Sequence, residues 1–119
     1  MSKNKIIFIL FFLALLPCVS MAAAWNWLAQ SPVSYFTPED KQIMRKTAVD
    51  ALEKGKDGNE ITWKNPVTGH SGSVMPISKI KRDDLACRNT RFTNNAEGLT
   101  SIQIHLLCKQ ADGTWKIFK

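Results

Sequence analysis

The apolar and polar positions of this chain follow three successive patterns, and each pattern predicts a different element. Residues 6–16 form an unbroken apolar run. Between Thr37 and Gly55, apolar residues recur at the spacing of one helix face, with charged residues largely on the other side. Thr37 can cap this helix, Pro38 suits its first turn, and Gly55 ends it. We therefore expect the helix to lay an apolar stripe on a sheet.

From Glu60 onward the pattern takes the period of two that is typical of strands. The predicted strands are Ile61–Trp63, Gly72–Ile80, Leu85–Thr93, Leu99–Lys109 and Thr114–Phe118. Turn-forming residues separate them at 64–69, 94–98 and 111–113. The fourth strand alternates most clearly, with Ile102 and Ile104 on one face and Gln103 and His105 on the other. This order predicts an α+β fold, in which one N-terminal amphipathic helix packs on an antiparallel meander of about five strands.

The N-terminus has the three-part layout of a secretory signal peptide. Lys3 and Lys5 precede the apolar run, and the small residues Ala22–Ala24 follow it. We therefore expect a signal peptide at residues 1–24, an aromatic lead-in at residues 25–36 and the folded domain at residues 37–119. An uncleaved anchor is disfavoured because the run is short for a bilayer and Pro17 interrupts it. A lipidated Cys18 is the other alternative, with Pro17 in place of the small residue that normally precedes a lipidation site.

Two cysteines, Cys87 and Cys108, remain after removal of the signal peptide. An even pair in an oxidising compartment favours one disulfide. Pairing the third and fourth strands about the turn at residues 94–98 brings the two cysteines close together. Closing a loop of about 20 residues stabilises a domain by roughly 3 kcal/mol through the unfolded state. Two independent buried thiols are the alternative.

The chain carries a formal charge of +6, and two of its lysines lie in the predicted signal peptide. The remaining basic excess is modest, so we expect no nucleic-acid partner. Basic side chains are able to meet an anionic surface such as lipid headgroups, and a solvated charged face is the simpler interpretation. We expect no integral transmembrane segment after signal cleavage.

Candidate catalytic chemistry is sparse. The segment Gly69–Ser73 resembles a nucleophile elbow, but its final glycine is absent and it lies in a predicted hairpin. His105 and Cys108 are three positions apart on a strand and so point to opposite faces, which disfavours a shared metal site. We therefore predict no catalytic, cofactor-binding or metal-binding residue and no cofactor. If the protein were an enzyme, its candidate acid, base and nucleophile would be found among His70, Ser71 and Asp112.

Three separated motifs resemble the C-terminal domain of the rickettsial 17-kilodalton surface antigen family. They are the segment Ile61–Pro76, the pair Cys87-Arg88, and the segment Cys108–Ile117 with its Asp-Gly-Thr-Trp turn. The resemblance covers roughly residues 48–118 and implies an exported bacterial protein of the periplasm, outer membrane or cell surface with undefined activity. This chain has only six glycines and no G-x-x-x-G run, and Lys109 stands where the family usually has arginine.

Two classes of function follow. The first is a non-enzymatic structural or binding module of the envelope, whose partner is an envelope protein, peptidoglycan or an anionic surface. The candidate partner-binding residues are Trp63, His70, Arg88, Lys109 and Trp115. Tryptophans next to turns more often serve packing than ligand binding. The second class is a small periplasmic enzyme or inhibitor, and the sequence favours the first.

Overall fold

The computed structural model describes residues 31–119. The predicted signal peptide, Cys18 and the first half of the predicted lead-in lie outside the described residues. A short 3₁₀ helix, Pro32–Tyr35, precedes the main helix. The next residue, Phe36, is buried in the core.

The predicted helix is present as α1, Pro38–Lys54. A capping box begins it, in which the Asp40 backbone N–H donates to Thr37 Oγ1 at 3.1 Å and the Thr37 backbone N–H donates to Asp40 Oδ2 at 2.8 Å. Gly55 follows the last turn, and its backbone N–H donates to the Ala51 carbonyl oxygen at 2.8 Å. A Cβ atom at Gly55 would collide with that same carbonyl oxygen, so close packing explains the glycine here.

The sheet is an antiparallel meander in chain order, which confirms the predicted α+β architecture. Its strands are β1 Ile61–Lys64, β2 Ser71–Arg82, β3 Leu85–Ala96, β4 Leu99–Lys109 and β5 Trp115–Ile117. Helix α1 lies over β1 and β2. Among residues 31–119, no helix is both long and apolar enough to span a bilayer.

The two central hairpins are longer than predicted, because their turns are only two residues each. Asp83 and Asp84 have φ of 47° and 64°, and Glu97 and Gly98 have φ of 52° and 74°. Two consecutive left-handed residues are typical of the type I′ turns that join tightly twisted strands. The turn predicted at residues 94–98 is therefore shorter in the structure. Asn94–Ala96 belong to β3 and pair with Ser101–Leu99 of β4.

The core lies between α1 and the face of the sheet that it covers. Its centre is formed by Phe36, Trp63 and Ala96, and the partly buried hydrophobic residues Val33, Ile43 and Met44 pack against them. Cys87 and Cys108 are direct cross-strand partners on β3 and β4, with their Cα atoms 4.0 Å apart, and the predicted disulfide joins them. On the opposite sheet face, Ile102 and Ile104 of β4 are 63% and 61% exposed, whereas Cys87 and Cys108 are buried.

Candidate functional site

Three elements that are distant in sequence meet at His70. Asp40 lies in the first turn of α1, His70 precedes β2, and Glu97 lies in the turn between β3 and β4. His70 Nδ1 is 2.7 Å from Asp40 Oδ2, and His70 Nε2 is 2.9 Å from Glu97 Oε1. We call Asp40, His70 and Glu97 the histidine bridge.

Asp40 is fully buried and accepts hydrogen bonds from several directions. Its Oδ1 accepts hydrogen bonds from Asn65 Nδ2 and Thr68 Oγ1, each at 2.8 Å. Its Oδ2 accepts a hydrogen bond from the Thr37 backbone N–H. Burial by itself would raise the pKa of this carboxyl. The hydrogen bonds from His70, the Thr37 N–H, Thr68 and Asn65 outweigh burial and hold the pKa of Asp40 well below its usual range. One carboxylate therefore caps the helix and anchors the loop between β1 and β2.

His70 is nearly buried, at 6% exposure, and its ring stacks on Phe36 with centroids 5.9 Å apart. The hydrogen bonds to Glu97 and then to Asp40 raise the pKa of His70, against the opposing effect of burial. An imidazolium donates from both ring nitrogens, which matches one carboxylate on each side. The bridge is therefore most complete when His70 carries a proton.

The residues that an enzyme would need are not assembled around His70. Ser71 Oγ accepts a hydrogen bond from Asn95 Nδ2 at 3.3 Å. Asp112 lies in the turn before β5, where its Oδ1 accepts from Thr114 Oγ1 at 2.7 Å. The hydrogen bonds from Thr114 lower the pKa of Asp112. Within residues 31–119 no group of histidine, cysteine and acidic side chains is arranged to hold a metal ion.

Arg88 is buried under the end of α1. Its Nη1 donates to the carbonyl oxygens of Leu52 at 2.9 Å and Ala51 at 3.3 Å, and its Nη2 lies 2.5 Å from Asp57 Oδ1. The last carbonyls of a helix lack partners within the helix and carry its negative partial charge. Arg88 therefore caps the C-terminal end of α1 from a neighbouring strand.

Lys109 and Trp115 meet at Glu53, near the same end of α1. Trp115 Nε1 donates to Glu53 Oε1 at 2.9 Å, and Lys109 Nζ donates to Glu53 Oε2 at 3.1 Å. These hydrogen bonds, first that from Trp115 and then that from Lys109, lower the pKa of Glu53. Both side chains remain partly exposed. Through Glu53, Lys109 joins β4 to the helix and Trp115 joins β5 to it.

Trp63 packs inside the domain. Its ring meets Phe36 edge to face, with centroids 5.3 Å apart, and it is 5% exposed. A side chain at Gly72 would collide with the Trp63 indole. The structure thus places Trp63, His70 and Arg88 in the interior, and Lys109 and Trp115 at the surface. A partner-binding role for the five residues stays a prediction.

Sequence reasoning missed Asp40 and Glu97 as partners of His70. The Asp40 signal was available in part, because Thr37 and Asp40 have the spacing of a capping box. Glu97 gives no local signal, since its approach to His70 depends on the two-residue turn and on the register of β2 against β3.

Comparison with known proteins identifies the family. The family model described as 17 kDa outer membrane surface antigen matches residues 50–116, which is more than half of the chain. This chain therefore belongs to the 17 kDa outer membrane surface antigen family, and the resemblance seen in its motifs is confirmed. The matched range includes His70, Arg88 and both disulfide cysteines, whereas Asp40 precedes it.

Individual relatives lead to the same family. The 17 kDa surface antigens of Rickettsia bellii (strain RML369-C) and Rickettsia prowazekii (strain Madrid E) are 29% identical over 80 residues and 31% identical over 81 residues. Each alignment covers 66% of this chain and 50% of the relative, so the chain spans about half the length of the curated relatives it matches. No solved structure matches. Family membership implies an extracytoplasmic or surface location.

Proposed function

We propose that this protein is a non-enzymatic binding module of the bacterial envelope. The observation that carries this proposal is the histidine bridge, in which both ring nitrogens of His70 are held by carboxylates. A histidine that acts as a general base needs a free nitrogen near the proton it removes. In this domain, His70 and its carboxylate partners instead join secondary-structure elements to one another.

Three connections support the role of a rigid scaffold. The histidine bridge fixes the start of α1 to two turns, and Arg88 fixes the end of α1 to β3. The disulfide fixes β3 to β4. A small domain held at these points can present an exposed surface without rearranging, which lowers the entropic cost of binding.

The alternative is a small periplasmic enzyme or inhibitor. A hydrolase would place Ser71 beside a free nitrogen of His70, whereas Ser71 bonds to Asn95 and both His70 nitrogens are occupied. The binding module is therefore the better supported function.

The proposal includes the finer location and the class of partner. Residues 1–24 act as a cleaved signal peptide, residues 25–36 as a lead-in and residues 37–119 as the binding domain. The protein works in the periplasm or at the outer membrane and cell surface. Its partner is an envelope protein, peptidoglycan or an anionic surface, and it takes no cofactor and no nucleic acid.

Co-sedimentation tests this proposal. The full chain is expressed in a Gram-negative host, and the exported protein is mixed with purified peptidoglycan sacculi or with outer-membrane vesicles. We expect saturable sedimentation with one of the two, unchanged in the Ser71→Ala variant. Failure to sediment with either material, or a hydrolytic activity that Ser71→Ala abolishes, would overturn the proposal.

A further inference from the structure

A cleft of about 630 Å³ opens where α1 ends over the β2–β3 hairpin. The chain following α1 forms one side, and the paired ends of β2 and β3 form the other. Trp115 of β5 also lines the cleft. The basic residues that line the cleft are Lys54, Lys56, Lys79, Lys81 and Arg88.

The register of the hairpin explains this concentration of charge. Lys79 pairs with Arg88 and Lys81 pairs with Ala86, so alternate positions of β2 lie on the same sheet face as Arg88. Lys54 and Lys56 approach from the end of α1. Two segments that are separate in sequence thus deliver their positive charges to one cleft.

The four lysines of the cleft have no acidic partner within residues 31–119. All four are exposed. Glu53 is the one acidic residue among those that line the cleft, and its oxygens already accept from Trp115 and Lys109. Like charges brought together without counter-charges repel one another, and a bound anion relieves that repulsion.

Arg88 supplies a second, independent sign of a ligand. Its side chain is 5% exposed, and both Nη atoms are occupied by Asp57 and the helix carbonyls. Its Nε–H is buried and has no acceptor in the described part of the chain. A buried donor without a partner is unfavourable. Because Arg88 lines the cleft, an acceptor that reached this N–H from the cleft would relieve that cost.

Leu52 and Trp115 add apolar surface to the cleft. The indole of Trp115 is held by the hydrogen bond to Glu53. An indole offers a wide, rigid apolar face at a small cost in conformational entropy. A ligand that fits this cleft therefore combines a compact ring with an anionic group.

We infer that the cleft binds a sugar ring that carries a phosphate or a carboxylate group. The lysine ammonium groups and the Arg88 Nε–H donate hydrogen bonds to the anionic group. The Trp115 indole packs against the sugar ring. The inference rests on the proposed binding function and names the ligand class for one site. Phosphate and carboxylate are recognised by the same charges, so the test separates the two sources.

Titration calorimetry at low salt on the exported full-chain product tests the inference. The probes are glucose 6-phosphate, glucuronate, neutral glucose and inorganic phosphate. We expect glucose 6-phosphate or glucuronate to bind and glucose to fail, and the one that binds identifies the anionic group. The Lys79→Gln/Lys81→Gln double variant should weaken binding about tenfold, as expected for the loss of charge-assisted contacts. Binding should also weaken as salt is added.

Lys116→Gln is the matched control, because Lys116 follows Trp115 on β5 and lies on the opposite sheet face. It removes one positive charge outside the cleft and should leave binding unchanged. Trp115→Leu should weaken binding of the sugar and leave binding of inorganic phosphate unchanged. The inference is overturned if no charged sugar binds at about 10 mM, a concentration at which even weak sites are occupied. It is also overturned if inorganic phosphate binds as tightly as the sugar, or if Lys116→Gln weakens binding as much as the double variant.

The co-sedimentation experiment distinguishes a failure of the inferred cleft site from a failure of the proposed binding function. If the Lys79→Gln/Lys81→Gln variant sediments with envelope material as the unmodified protein does, the cleft is not the binding site and the binding module stands. If neither protein sediments, the proposed function itself fails.

Discussion

Arg88 Nη1 lies 2.9 Å from the carbonyl oxygen of Leu52, which places a buried positive charge at the end of α1. The neighbouring residue, Cys87, forms the disulfide to β4. Adjacent residues on a strand point to opposite faces, so one residue of the Cys-Arg pair holds the helix and the other holds the next strand. The pair is therefore explained as a structural junction.

Replacing Arg88 by leucine should destabilise the domain by about 2 kcal/mol, because the Leu52 carbonyl loses its buried donor and Asp57 loses its ion pair. Thermal denaturation measures the loss, and for a domain of this size each kcal/mol lowers Tm by roughly 4–8 °C. Arg91→Gln is the matched control. Its ion pair with Glu60 is exposed and long, at 3.4 Å, so we expect a change within about 0.5 kcal/mol. Equal Tm values for the Arg88→Leu and Arg91→Gln variants would contradict the capping role.

The histidine bridge should make stability depend on pH near neutrality. The pKa of His70 is raised in the folded protein, so folding favours the protonated ring. Its stabilisation is complete below the ordinary pKa of about 6.5 and is lost as the pH rises through the raised pKa. Tm should therefore fall as the pH increases across this range, and His70→Gln should flatten the dependence.

His105→Gln is the control for this pH series, since the His105 side chain bonds to Gln103 rather than to a carboxylate. We expect this variant to keep the slope of the unmodified protein. A His70→Gln variant with an unchanged slope between about pH 6 and 9 would show that the bridge does not favour the charged ring.

Gly69 should stabilise the β1–β2 loop. Its φ is 77°, and open space surrounds the position of a Cβ atom, so the constraint is backbone strain rather than crowding. Gly69→Val should cost about 1–2 kcal/mol, because a β-branched residue is strongly disfavoured in this region. Chemical denaturation gives the value directly.

Val67→Ala is the matched change in the same loop, at a side chain that is 82% exposed, and should be close to neutral. If Gly69→Val kept full stability but lost sedimentation with envelope material, the loop would be a recognition element rather than part of the scaffold.

The elements of this fold were predictable because their signals are local. The capping box at Thr37 and the alternation in β4 both arise from residues close in sequence. The turn at residues 94–98 was predicted too wide, because Asn94 and Asn95 have the side chains of turn residues but pair with β4 through the ladder. Local chemistry does not encode which of several turn formers takes the left-handed conformation.

The candidate site was less predictable because it depends on long-range register. Asp40 and His70 are 30 positions apart, and Arg88 reaches carbonyl groups 36 and 37 positions away. Each of these residues looks like a surface residue in the sequence, since charged side chains are usually exposed. Only the packing of α1 on the sheet makes them interior partners.

Intact mass is the most direct test of whether the domain is exported and fixed by the Cys87–Cys108 disulfide. The protein is recovered from fractionated cells that express the full chain and is alkylated with and without reductant. We predict a mass that corresponds to cleavage after Ala22 or Ala24, with two thiols alkylated only after reduction. An uncleaved chain, a chain that starts at an acylated Cys18, or thiols that react without reductant would contradict the account.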